Sequence, residues 1–205
     1  MDETLWSSRK KAGVSKDSHM VQPVQPVLTP MPGEDTTVYF YADVDRNSVM
    51  TLNRELRCKE KNLRTLQHTM GVTGGHIDLY INSPGGVVLQ GFSAMDTIRA
   101  STIPVTTIID GEAASAATFI SVVGNERLMY EHAHILIHQL SSIHWGNFEQ
   151  LKDDMQNSER FMETIRDIYR KYTKISVKAM DDMLKHDLWW DAKTCLKYGL
   201  VDRII

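Results

Sequence analysis

Cysteine is scarce in this chain: two residues in 205, Cys58 and Cys195, far apart in sequence. That spacing supplies no disulfide framework. Cys195 falls at a helical position and reads as a small buried side chain. Long apolar runs are missing too, and none approaches the length that spans a bilayer. The N-terminus, Met1-Asp2-Glu3-Thr4-Leu5-Trp6, lacks the basic-then-apolar order of a secretory signal. Together these absences place the chain in a reducing compartment, with the cytoplasm the first expectation. A large excess of one charge sign is also missing. Lys and Arg number 23 against 26 Asp and Glu, a net charge of −3, and no basic stripe points to nucleic acid. Proline is nearly absent after the start: four of the six stand at 23, 26, 30 and 32. Each fixes φ and removes a backbone donor, so residues 1–35 read as an extended, flexible arm that cannot enter a core.

What remains is ordinary for one globular domain: 42% hydrophobic and 24% charged over a length that supports one sizeable core. Thr37-Val38-Tyr39-Phe40-Tyr41-Ala42 has the β-branched and aromatic content of a strand. Residues 48–70 carry apolar side chains at helical spacing, and Gly71, Gly74 and Gly75 end them. A second strand over 76–83 is closed by Pro84-Gly85-Gly86. A second helix follows, with Leu89, Phe92, Met95 and Ile98 on one face. A third strand over 104–109 leads into Asp110-Gly111-Glu112-Ala113-Ala114-Ser115-Ala116-Ala117, read as a small-residue turn, and then a helix over 118–123. Strand, helix, strand, helix argues for parallel pairing with helical crossovers. Two short strands are expected at 127–130 and 134–138. A long amphipathic helix over 147–172 follows, longer than a small core needs and suited to packing on another subunit. Two short helices (176–185 and 192–198) and a last strand at 200–205 close the chain.

Ser115 lies where a strand gives way to a helix, with almost no side chain around it. Such a corner exposes a hydroxyl beside free N–H groups. A packing corner chosen for size fits the same residues. A serine nucleophile needs a base within hydrogen-bond reach and a third group to orient that base. Among eight histidines, His138 ends the apolar strand Ile135-Leu136-Ile137, where clefts open in α/β sheets. A strand-end histidine satisfied by backbone is the plainer reading. His132, His134 and His144 read as loop or edge residues, and His186 as a helix cap. Asp187 precedes the apolar run Leu188-Trp189-Trp190, which is expected to shield it; a surface Asp at a helix end is the alternative. No carboxylate or cysteine completes a metal set around His132 and His134. Pro84-Gly85-Gly86 is no phosphate cradle, since no G-x-x-x-x-G-K-[ST] pattern follows. It fits one half of an oxyanion hole, with the N–H after Ser115 as the other.

Taken together, these residues resemble the proteolytic subunit of the Clp protease, the ClpP family of serine peptidases. Ile81-Asn82-Ser83-Pro84-Gly85-Gly86 matches the family's I-N-S-P-G-G. Gly111-Glu112-Ala113-Ala114-Ser115-Ala116 resembles its G-x-A-A-S-M, and Ile137-His138-Gln139 its M-I-H-Q-P. Tyr198-Gly199-Leu200-Val201-Asp202 matches its Y-G-L-V-D. Four motifs in order cover the chain from about residue 76 to the end. The resemblance implies a crotonase-like α/β fold of repeated βαβ units, occupying 36–205, with a handle at about 140–172. It implies a serine endopeptidase acting on unfolded polypeptides inside an oligomeric chamber. Ser115 would be the nucleophile, His138 the base and Asp187 the orienting acid, with Gly86 and Ala116 as oxyanion donors. It further implies heptameric rings pairing into a tetradecamer. The chain itself would need no cofactor or metal, ATP being used by a partner AAA+ unfoldase. An inactive or regulatory ring subunit is the alternative, and an acyl-CoA enzyme on the same fold a third. The departures are Ala116 for Met, Leu140 for Pro, Ser141 to Gly146 for a glycine-rich stretch, and Asp78 for an aromatic on the unfoldase-docking surface, where Tyr80 is kept. Such divergence suits a viral, plasmid or organellar version, or one subunit of a mixed ring, so an organellar stroma or matrix and a host cytoplasm join the expected locations.

Overall fold

Alternation in the sequence builds the centre of the sheet. β2 (Ile77–Ser83) buries Ile77, Leu79, Ile81 and Ser83 and leaves the residues between them half-buried. A computed structural model describes residues 35–71 and 73–205; the arm expected over 1–35 lies, but for Asp35, outside the described residues. Parallel neighbours flank β2, with β1 (Thr37–Phe40) on one side and β3 (Val105–Ala114) on the other. Parallel strands need crossovers, supplied by α1 (Arg46–Met70) and α2 (Val88–Ala100). The helix expected from 48 begins two residues earlier because Asp45 caps it. Its Oδ1 accepts from the N–H groups of Asn47 and Ser48, while Ser48 Oγ accepts from Asp45 N–H. Gly71 ends α1 in the left-handed region, at φ 64.

Beyond β3 the sheet continues through β4 (Glu126–Met129) to β7 (Arg203–Ile204), in the order β1-β2-β3-β4-β7. β3 corrects the sequence reading. Residues 110–114, expected as a turn, are strand. Pairing runs from Ile77↔Val105 to Ile81↔Ile109 and resumes at Ser83↔Ala113, so β3 holds two more residues than β2 across this step. The bulge lies at Asp110, Gly111 and Glu112, with Gly111 at φ 99. From Glu112 on, β3 also pairs in parallel with β5 (His134–Leu136) within the same sheet, with Ala114 opposite Leu136. Residues such as Asp, Gly and Ala have little strand preference of their own; the partner strand overrides it.

One strand near the C-terminus was not legible as such. β6 (Trp189–Asp191) pairs antiparallel with β5. The run that contains it does not shield Asp187: Leu188 is 62% and Trp189 48% exposed. The helix after the serine corner is α3 (Ala117–Ser121), and the long helix is α4 (Phe148–Tyr172), started by an Asn147–Gln150 capping box. Its buried residues are Ile165, Ile168 and Tyr169, all in the second half, while Phe148 and Met155 in the first half are exposed. The front of α4 thus stands off the core. α5 (Val177–Met183) and α6 (Ala192–Lys197) complete the chain, and Cys195 in α6 is buried as expected. Burial pushes its thiol pKa up to about 12. Among the described residues, no helix is long and apolar enough to cross a membrane.

Candidate active site

The serine corner is strained and closely packed. Among the described residues Ser115 is the one non-glycine with positive φ, at 51°. A side chain there costs about 1–2 kcal/mol, so surrounding contacts must hold it. Ser115 N–H donates to Leu136 O at 2.9 Å, tying the corner to β5. Against its other side lies the loop Pro84-Gly85-Gly86. A Cβ on Gly85 (φ 93) would stand 2.4 Å from Ala114 O and 2.7 Å from Ser115 Cβ. One on Gly86 (φ 148) would stand 2.5 Å from Val44 O. The tightness of both approaches requires glycine. At five residues α3 is little more than one turn, so the helix field at its N-terminus is small. The backbone amides matter more. Val44 N–H donates to Gly85 O and Val87 N–H to Val44 O, each at 2.8 Å, and Gly86 N–H between them donates to nothing among the described residues. Ala116 N–H likewise donates to nothing among the described residues.

Ser115, His138 and Gly86 line one cleft of about 190 Å³, together with Phe119, Leu140 and Tyr169. No Lys, Arg, Asp or Glu contributes to its lining, so His138 is the one imidazole in an otherwise uncharged pocket. His138 is half-buried, two residues past the end of β5. Behind the cleft, the hydroxyl of buried Tyr169 lies 2.5 Å from Thr118 Oγ1, which also donates to Ser115 O. Burial pushes the Tyr169 phenol far above its ordinary pKa and keeps it neutral. α4 is thereby joined to the serine corner through one hydrogen-bonded chain.

Asp187 lies elsewhere. It is exposed, in the stretch between α5 and β6, and does not line the cleft. Among the described residues no hydrogen bond joins Ser115 to His138 or His138 to Asp187. The ladder between β5 and β6 nevertheless relates the two. Its pairs are His134↔Asp191, Ile135↔Trp190 and Leu136↔Trp189. Continued by two residues in the same register, it sets Ile137 opposite Leu188 and His138 opposite Asp187. The ladder stops short, and Gln139 N–H instead donates to Leu184 O at 3.2 Å. Sequence reading could not find this relation, because it depends on pairing to a strand it had not identified.

The other histidines among the described residues fall outside the cleft. His134 Nδ1 lies 3.0 Å from His132 O, and both residues are exposed. His186, expected as a cap, is exposed and donates its amide to Met183 O. His144 bonds to α4. No group of three His, Cys, Asp or Glu among the described residues is arranged to hold a metal. On the other side of the sheet Tyr39, Tyr41 and Tyr80 form an aromatic patch. Tyr39 stacks on Tyr80 at 5.3 Å between centroids, Tyr41 O–H donates to Asp110, and Asp78 pairs with His76 at 3.2 Å. A hydroxyl, an imidazole and two unengaged N–H groups gathered at one corner are the parts that acyl transfer needs.

A parallel sheet with helical crossovers, branched where β3 takes β5 as a further partner, is the α/β architecture of the ClpP type. A solved structure of a ClpP1 mutant from Listeria monocytogenes superposes with a TM-score of 0.71 at 22% identity, covering 83% of this chain and 91% of that one. The Clp protease family profile matches residues 34–205, and the chain belongs to that family. The ATP-dependent Clp protease proteolytic subunit of Deinococcus radiodurans is 33% identical over 131 residues. That match spans 63% of this chain and 64% of the relative, under two thirds of the relative's length.

Proposed function

We propose that the chain is a serine endopeptidase that cuts unfolded polypeptides inside a ring-shaped chamber of its own copies. Ser115 attacks the peptide carbonyl and His138 takes the proton and returns it to the leaving amine. Asp187 orients the imidazole, and the N–H groups of Gly86 and Ala116 hold the oxyanion. The observation that carries this reading is the strained Ser115 corner sharing an uncharged cleft with His138 and Gly86. Asp187 reaches His138 if the β5–β6 ladder gains two pairs, since directly opposed residues in an antiparallel pair bring their Cβ atoms to about 4.5–5.5 Å. The exposed front of α4 is the handle through which heptameric rings would pair into a tetradecamer. The tyrosine patch, with Tyr80 in it, is the surface for an ATP-using AAA+ unfoldase. The domain covers 36–205 and needs no cofactor of its own.

A specific observation favours a second reading: with Asp187 exposed and unbonded to His138, the chain would be an inactive or regulatory ring subunit. Labelling with a fluorophosphonate and hydrolysis of a fluorogenic peptide separate the two. The native chain should label at Ser115, and Ser115→Ala should lose labelling and about 10³ to 10⁶ of the peptidase rate. Undiminished hydrolysis by Ser115→Ala would overturn the assignment, and a native chain inert in both assays at every oligomeric state would favour the regulatory subunit.

A further inference from the structure

The cleft beside Ser115 has one fixed wall and one that is barely attached. On the fixed side, Val44 bonds to the backbone on both sides of Gly86. On the other side runs the irregular segment from Gln139 to Gly146, which belongs to no strand or helix. Gln139, Leu140 and Ser141 line the Ser115 cleft. Leu140, Ser141, Ser142 and His144 line an adjoining cavity opposite Val87 and Leu89. One short segment thus forms a wall of both spaces. Its first anchors are Gln139 N–H to Leu184 O at 3.2 Å and Leu140 N–H to Met162 Sδ at 3.1 Å. The next hydrogen-bonded fixture along the chain, apart from His144, is the Asn147 cap of α4. Ile143 and Trp145, on either side of His144, are 98% and 97% exposed.

His144 bridges that gap with both ring nitrogens. Nδ1 lies 3.3 Å from Asp154 Oδ2 and Nε2 lies 3.4 Å from Ser158 Oγ. Asp154 and Ser158 are one helical turn apart on the same face of α4, so the ring is held at two points. We propose that His144 is a positioning residue: it fastens the wall segment 139–146 to α4 and so sets the width of the substrate groove beside Ser115. This rests on the peptidase reading for what the groove binds, although the clasp itself is independent of catalysis. Loss of the clasp lets the wall move away from Val87 and Leu89, and a long unfolded peptide then loses one side of its contact. A small reagent that needs only the serine corner is indifferent to it.

The test compares His144→Ala, Asp154→Ala and His144→Gln in the full chain. Binding of a fluorescein-labelled unfolded decapeptide is measured by anisotropy on a Ser115→Ala background, where no turnover interferes. His144→Ala and Asp154→Ala should each weaken binding about two- to five-fold, the size of a lost exposed side-chain contact. His144→Gln, which keeps a side-chain donor and acceptor, should restore part of the loss. In chains that retain Ser115, fluorophosphonate labelling should stay within about two-fold of the native rate, since this reagent needs no groove wall. Amide exchange at Leu140 should quicken in His144→Ala, showing that the wall has loosened. Unchanged peptide affinity in both alanine variants, or equal losses in peptide binding and labelling, would overturn the proposal. If the native chain fails to label while the anisotropy differences appear, the clasp stands and the nucleophile assignment falls.

Discussion

Replacing Gly85 with alanine tests the closeness of the Pro84-Gly85-Gly86 loop to the serine corner. The added methyl would stand 2.4 Å from Ala114 O, 2.7 Å from Ser115 Cβ and 3.1 Å from Ala116 N. Two of these are backbone atoms that cannot rotate away, and φ at 93° lies outside the region alanine readily adopts. Backbone strain of about 1–3 kcal/mol and overpacking of about 1–3 kcal/mol act together, for a loss of about 2–6 kcal/mol. That is a large share of a typical domain's stability of about 5–15 kcal/mol. Gly71→Ala is the control, because Gly71 has a similar positive φ of 64° with nothing within 4 Å of a new Cβ. Its cost should be the backbone part alone, about 1 kcal/mol. Urea denaturation followed by circular dichroism reads both, as shifts in midpoint at unchanged slope. Folded Gly85→Ala protein should also label more slowly at Ser115, because the methyl pushes the corner out of place. Should Gly85→Ala cost no more than Gly71→Ala, the loop does not approach the corner as described.

Two further predictions concern a carboxylate near the site and one far from it. Asp187→Asn should lower kcat/KM of the assembled protein by about 10³ to 10⁴ if the ladder extends and the carboxylate orients His138; a change below two-fold would mark Asp187 as a bystander. Asp202 is held below the usual carboxylate range chiefly by its hydrogen bond from Arg127, which also donates to the carbonyls of Tyr172 and Gly199. A depressed folded pKa contributes stability that is present above the unfolded value and lost as pH falls through the folded one. The gap in urea midpoint between the native chain and Asp202→Asn should therefore be full near neutrality and close as pH is lowered below about 4. A gap that persists unchanged into acid would refute the linkage.

The match between sequence and structure is closest where the deciding interactions are local. Alternation over 77–83 and helical spacing over 48–70 each need only a short window, and both elements formed close to where they were expected. The glycines at 85 and 86 were legible as a turn. Their purpose, letting two backbones nearly touch, was not, because it depends on Val44 and Ala114 from other elements. At 110–114 local preference pointed the wrong way. Those small residues became strand because β5 supplied a partner. Asp187 was placed from motif order, and the expected apolar shield around it is absent. His144, read as a loop residue, acquired its part only when α4 brought Asp154 and Ser158 to one face beside it.

Sequence by itself determined the order of the helices and of every strand but β6, the candidate residues of the site, and the family through four motifs in register with one another. Each of those is written in residues near one another along the chain, where periodicity and steric preference act. Tertiary structure alone decided the bulge at 110–112 and the pairing with β5 that ties down the Ser115 corner. It also decided the register that sets His138 on a line with Asp187 without joining them, and the way α4 is half core and half projection. These depend on pairing and packing between distant segments, and one residue of slip would turn every side chain of a strand to its other face.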